Sequence, residues 1–196
     1  MTGEKLIPAS QQDTWKALND PDMLRACVPG CESITPVTDN EYQVQMTARV
    51  GPVSAKFRGR LSLFDIKPPT SYSLAFEGQG GAAGFAKGAA QVKLESVGAT
   101  QTKLAYDVKA NVGGKLAQIG SRLIDAAAKK VADEFFQNFT KKMTSSEDTT
   151  VVMHAAGAPA GAAGDRVLPS VSNTTLIFFA AGALVVLIVA LVALFG

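Results

Sequence analysis

Between residues 41 and 112 apolar side chains recur at every second position, and after Gly113 and Gly114 they recur at every third or fourth. EYQVQMTARV sets Tyr42, Val44, Met46, Ala48 and Val50 on one face and Glu41, Gln43, Gln45, Thr47 and Arg49 on the other, the pattern of a strand buried on one side. SAKFRGRLSLF, SYSLAFEG, AAQVKLESV and QTKLAYDVKANV repeat that habit, so an antiparallel sheet with one solvated face is expected. KLAQIGSRLIDAAAKKVADEFFQNFTKKM then lays Leu116, Ile119, Gly120, Leu123, Ala127, Val131, Phe135 and Phe139 along one helical stripe. A chain in this order is α+β: a curved antiparallel sheet whose concave side takes one long C-terminal helix. Ahead of the strands, PASQQDTWKALND predicts a short helix capped by Ser10, and DPDMLRACVPG a second one ended by Pro29 and Gly30.

GQGGAAGFAKGAA, residues 78–90, interrupts this regularity with small residues. Gly78, Gly80 and Ala83 satisfy a loose G-x-G-x-x-A spacing, but a dinucleotide loop must open a helix and QVKLESV continues as strand. Alternation carried back from Val92 and Leu94 turns Ala90, Gly88, Ala86 and Gly84 inward. Two readings stand: glycines that mark bulges where the sheet curves, or an unfilled space that a ligand occupies. The expected lining is Val44, Met46, Phe57, Leu61, Leu74, Phe76, Gly84, Ala86, Gly88, Leu104 and Tyr106 from the sheet, facing Leu116, Ile119, Leu123 and Ala127 from the helix. Nearly all of it is hydrocarbon or aromatic, with Tyr106 the hydroxyl expected to orient a polar headgroup.

The tail sets location. Leu176 to Phe195, LIFFAAGALVVLIVALVALF, holds twenty residues with no charged or polar side chain, a reach of roughly 30 Å as a helix and so one bilayer core. The expected organisation is a folded domain over residues 1–143, a flexible tether over 144–170 and a membrane anchor over 171–196. As a coil the tether spans about 29 Å. MTGEKLIPAS lacks the apolar stretch of a secretory leader, so the domain is expected on the cytoplasmic face of the membrane behind a single C-terminal span, with Arg166 on the near side.

Charge and motif chemistry narrow the rest. Residues 1–143 carry 18 Lys and Arg against 14 Asp and Glu, a formal +4, too mild and scattered for a nucleic-acid surface. The single histidine, His154, falls in the tether, so the folded part offers no Ser-His-Asp or Cys-His arrangement. No paired carboxylates point inward, and no catalytic residue and no enzyme activity are expected. Cys27 and Cys31 form C-x3-C without a second pair or a nearby histidine, so no metal site is expected and both read as free thiols. Lys56, Arg58 and Arg60 share the solvated face of one strand, either to dock anionic headgroups or an acidic partner, or to keep that face soluble.

DPDMLRACVPGCES, GPVSAKFRGRL, PPTSYSLAFEGQGGAAGFAKGAA and GGKLAQIGSRLIDAAAKKVADEFF together resemble the carbon monoxide dehydrogenase G-subunit family of the START-like, or SRPBCC, superfamily, over roughly residues 3–143. The resemblance implies a helix-grip fold around a deep apolar cavity. It also implies association with a molybdenum hydroxylase of the carbon monoxide dehydrogenase type. With the membrane tail, these features lead to a tethered binder for a hydrophobic molecule, with an isoprenoid quinone (menaquinone or ubiquinone) or a similar lipid as the bound ligand and no covalent cofactor. Such a protein would bring the hydroxylase to the membrane and link it to the respiratory quinone pool. The alternative is a recruitment or assembly factor that carries no ligand.

Overall fold

The computed structural model describes residues 1–147. The expected anchor, 171–196, and nearly all of the expected tether lie outside the described residues. Among the described residues no helix is long and apolar enough to cross a membrane.

Seven strands form one antiparallel sheet: β1 (Thr2–Ile7), β2 (Cys31–Thr38), β3 (Glu41–Val50), β4 (Val53–Lys67), β5 (Ser71–Gln79), β6 (Phe85–Gly98) and β7 (Gln101–Gly113), in the order β1-β7-β6-β5-β4-β3-β2. The helices are α1 (Gln11–Leu18), α2 (Pro21–Cys27) and α3 (Ser121–Glu147). Consecutive hairpins from β2 to β7 account for the meander, and β1 closes the far edge by pairing with β7. Alternation sorts the faces as expected in β3, where Tyr42, Val44, Met46 and Val50 are buried.

Local chemistry sets the helix boundaries. Ser10 Oγ accepts the Asp13 N–H at 3.1 Å to start α1, and Asp20 Oδ1 accepts the Asp22 N–H at 2.9 Å to start α2, with Pro21 at the first helical position. β1 and β2 are absent from the alternation reading because each is an edge strand. β1 buries only Ile7, and β2 carries Pro36 and an exposed second half. With no continuous apolar face, neither emits the period-two signal.

The long helix corrects the sequence reading in phase. Gly114 and Gly120 both take positive φ, 78° and 91°, which L side chains resist, and residues between them form a short 3₁₀ turn at Ala117–Ile119. α3 therefore begins at Ser121, and the stripe that packs inward is Ile124, Ala128, Ala132, Phe135, Phe136, Phe139 and Met143. Leu123, expected inside, is 51% exposed. One unbroken period counted through Gly120 misplaces the first helical turns, while the end bearing Phe135 and Phe139 is unaffected. α3 also runs to Glu147, past the expected boundary at 143.

Three contacts set α3 across the sheet. Phe136 stacks on Tyr106 of β7 with ring centroids 5.8 Å apart, Lys5 of β1 pairs with Asp133 at 2.8 Å, and Asn138 Nδ2 donates to the Cys27 carbonyl at 3.1 Å.

Candidate functional site

Where α3 passes β3, the facing residues are small. Ala127 on the helix and Ala48 on the strand, with Gly30 in the turn after α2, leave a groove of about 380 Å³. Its apolar lining is completed by Met46, Val50, Val131 and Pro29, and its polar lining by Thr47, Arg49, Lys130 and Glu134. Met46 and Val50 are buried, whereas Ala127 and Val131 are partly exposed, so the groove opens between helix and strand. The Thr47 N–H donates to the Gly30 carbonyl at 2.8 Å, which fixes the turn beside the strand. Gly30 takes φ +73°, and a methyl group there would collide with the Thr47 carbonyl.

The polar groups beside the groove are mostly committed. Thr47 Oγ1 donates to Glu32 at 2.8 Å, and Lys130 lies 3.8 Å from Glu134 one helical turn on. Together with Lys56, the Thr47 hydroxyl holds the Glu32 carboxyl below the usual carboxylate range. Arg49 is exposed and has no ion-pair partner among the described residues. The groove thus offers an apolar floor and a charged rim, the distribution suited to a greasy molecule with one polar end.

Of the residues expected to line a cavity, Met46 and Ala127 reach this groove. Val44, Phe57, Leu61, Leu74, Phe76, Ala86, Leu104, Tyr106 and Leu116 are buried core residues, and Ile119 is partly buried. Gly84 and Gly88 leave no empty space toward α3, although Gly88 borders a hollow of about 520 Å³ on the outer face with Arg60, Glu77, Lys87 and Asn111. A side chain at Gly84, which takes φ +117°, would strike the Gly113 carbonyl, and one at Gly88 would meet the Lys109 carbonyl and the Phe76 ring. The space that the Gly88 position leaves is filled by Phe76 from the next strand. Tyr106 does not point its hydroxyl at the groove either. It lies toward the opposite edge of the sheet, over Gly3 of β1, where burial, and then Asp133, raise its pKa.

The sequence reading passes over Ala48, Val50 and Val131 as lining, although alternation puts the first two on the face of Met46 and the helical stripe puts Val131 one turn beyond Ala127. Their places on the face of Met46 and on the stripe of Ala127 are the available signal. Pro29 and Gly30 give none, because only the fold brings the turn against β3.

Elsewhere the thiols are held in their protonated form. Burial pushes Cys27 and Cys31 from 9.0 up to about 11, and both are free. Among the described residues no group of three or more His, Cys, Asp or Glu could hold a metal ion. On the outer face of the sheet, Arg58 and Arg60 border a polar hollow of about 370 Å³ over Gly59, with Gln43, Gln45, Glu77 and Gln79. Lys56 is drawn aside to Glu32 at 3.1 Å.

Comparison with known proteins bears on this geometry. The family described as the G subunit of carbon monoxide dehydrogenase (CoxG) matches residues 3–144. A conserved protein from Geobacillus kaustophilus superimposes with a TM-score of 0.70 at 30% identity, covering 74% of this chain and 95% of that one. A START superfamily protein from Mycobacterium smegmatis gives 0.58 at 10% identity, covering 74% and 97%. The Zhui aromatase/cyclase from Streptomyces sp. R1128 gives 0.55 at 11% identity, covering 79% and 98%; these last two bear on the fold alone. No curated protein matches the chain in sequence.

Proposed function

Since this chain belongs to the CoxG family, we propose that it binds a hydrophobic molecule at the membrane on behalf of a molybdenum hydroxylase of the carbon monoxide dehydrogenase type. The ligand in this reading is an isoprenoid quinone. Residues 171–196 anchor the chain in the cytoplasmic membrane with the domain on the cytoplasmic side, and the chain binds and presents its ligand without catalysing a reaction. The observation that carries the reading is the groove between β3 and α3. Its volume of about 380 Å³ falls within the span of small-molecule sites, about 300–1,000 Å³, and Met46, Ala48, Val50, Ala127 and Val131 give it an oily wall. A quinone ring fits that chemistry, with Arg49 available at the rim for a ring carbonyl, while the isoprenoid tail leaves through the open side.

A second reading is favoured by one observation, the Phe76 ring that fills the space over Gly88. Less interior room remains than the run of small residues suggests, which suits a factor that only recruits the hydroxylase. Organic extraction of the purified full chain followed by mass spectrometry separates the two. Quinone recovered from the native chain and missing from Ala127→Phe supports the ligand reading. Equal recovery from both places the quinone outside the groove and overturns the site, and none from either leaves recruitment alone.

A further inference from the structure

The two ends of the sheet differ in charge. At one end three connections gather: the β3–β4 turn, the β5–β6 turn and the link from β7 into α3. The Leu116 N–H donates to the Ala83 carbonyl at 3.0 Å, which ties the link to the β5–β6 turn. A side chain at Gly51 would touch Leu123 and Ile119 at 3.8 and 3.9 Å, so the start of α3 sits over the β3–β4 turn. Around this end Arg49, Arg58, Arg60, Lys87, Lys115 and Arg122 are all exposed, and none is ion-paired with a described residue. The acids near them are Glu77, which lies across from Arg60 and Lys87 in register, Asp125 on α3, and Glu32 and Glu134, which pair with Lys56 and Lys130. The opposite end, at the β2–β3, β4–β5 and β6–β7 turns, lacks that excess of cations, with Asp39, Glu41, Asp65 and Glu95 beside Lys67, Lys93 and Lys103.

Exposed apolar side chains occur at both ends and do not single out the first. Leu123 (51%) and Phe85 (38%) lie at the first, and Leu6, Val37, Phe64 and Val97 at the second. Charge does. A bilayer with anionic headgroups favours the first end over the second, each cation near such a surface being worth about fivefold in association. Leu123 is exposed beside Arg122 at the start of α3, next to the β3–β4 turn. The groove reaches the same end through Arg49 and Val50.

We propose that the domain docks on anionic phospholipid through this basic end, with Leu123 as its apolar contact. The inference rests on the membrane placement proposed above and adds an orientation to it: the groove mouth is turned toward the lipid. The surface takes phospholipid headgroups rather than an acidic protein, because its cations are spread over β3, β4, β6, the link after β7 and α3 instead of gathered in one patch.

The test is amide hydrogen exchange on the full chain in vesicles of phosphatidylcholine, with and without phosphatidylglycerol. Docking predicts protection of residues 81–87 and 115–123 that requires phosphatidylglycerol and fades with added salt. Arg58→Gln with Arg60→Gln removes two cations from the solvated sheet face and lowers the docked fraction about 25-fold. Lys115→Gln with Arg122→Gln does the same from a different element. Protection that is equal in both vesicles, or that neither pair of substitutions changes, overturns the proposal. If protection instead appears only when the hydroxylase is added, the surface belongs to a protein partner and the proposal fails. Solvent extraction reports the ligand independently, so docking and the ligand reading fail separately.

Discussion

Phe76 of β5 lies across Gly88 of β6, its partner in register, with its ring in the place a side chain at 88 would take. The same arrangement occurs at three other cross-strand positions. Tyr106 covers Gly3, Phe85 covers Gly113, and Phe57 covers Gly80 one step beyond the paired part of β4 and β5. In each case a ring from one strand supplies the volume that its neighbour lacks, a known way of stabilising glycine in a sheet.

Gly88 therefore does not tolerate a side chain. Gly88→Ala presses on the Lys109 carbonyl and the Ala110 backbone as well as on the ring, and backbone yields less readily than a side chain. We expect a loss of about 1–3 kcal/mol, and about 3–5 kcal/mol for Phe76→Ala, which empties the same space. Urea unfolding of each variant checks both, and a neutral Gly88→Ala would show that Phe76 can move away.

Ala127→Phe has a different expected outcome. The site is partly exposed and opens on the groove, so the ring fills the groove rather than the core, and stability changes by about 0.5 kcal/mol. Co-purified lipid falls to background while the unfolding midpoint barely moves. A collapse of stability would mean that α3 and β3 are in closer contact than the groove implies.

Tyr42 and Tyr72 bury hydroxyls that have no hydrogen-bond partner among the described residues, and a buried polar group without a partner costs about 1–3 kcal/mol. Tyr42→Phe and Tyr72→Phe should consequently leave stability unchanged or raise it. Thermal unfolding decides, and a drop in either variant would reveal a bridging water or a ligand atom on that hydroxyl.

Alkaline pH should weaken the fold. Cys27 and Cys31 titrate at about 11 in the folded chain against 9.0 ordinarily, because burial disfavours the thiolate. The unfolded chain gives up these protons first, so stability falls as pH rises through that window and is independent of these groups below it. Cys31→Ser should flatten the decline, as measured by unfolding midpoints across a pH series. A decline of the same steepness in Cys31→Ser would assign it to other groups, Tyr42 among them, whose pKa burial raises to about 12.

The N-terminal cap gives a local check. Ser10→Ala removes the acceptor for the Asp13 N–H and should cost about 1 kcal/mol, readable as a lower unfolding midpoint.

The fold is legible where one residue type has one physical role. Ser10 and Asp20 mark helix starts through short-range hydrogen bonds, and the alternation of Tyr42 to Val50 names the buried face of β3 without reference to any other strand. β1 and β2 are not legible because edge strands with one paired side need no continuous apolar face. The candidate site is only half legible, for a related reason. That Gly84, Ala86 and Gly88 are small is written in the chain, but whether smallness means space depends on what stands opposite, and Phe76 is twelve positions away from Gly88. At Ala127 the same smallness meets Ala48 and Gly30, and there a groove opens. The phase of α3 fails at Gly120 for a local reason, since a positive φ interrupts a periodicity that side-chain type alone would carry through.

The pairing of rings with bare backbone positions also bears on descent. Neither member of such a couple can change alone without a clash or a hole, so relatives of this chain should exchange them jointly, an aromatic appearing on one strand wherever its neighbour loses a side chain. Joint variation at 76 and 88, and at 3 and 106, would be the mark of that constraint.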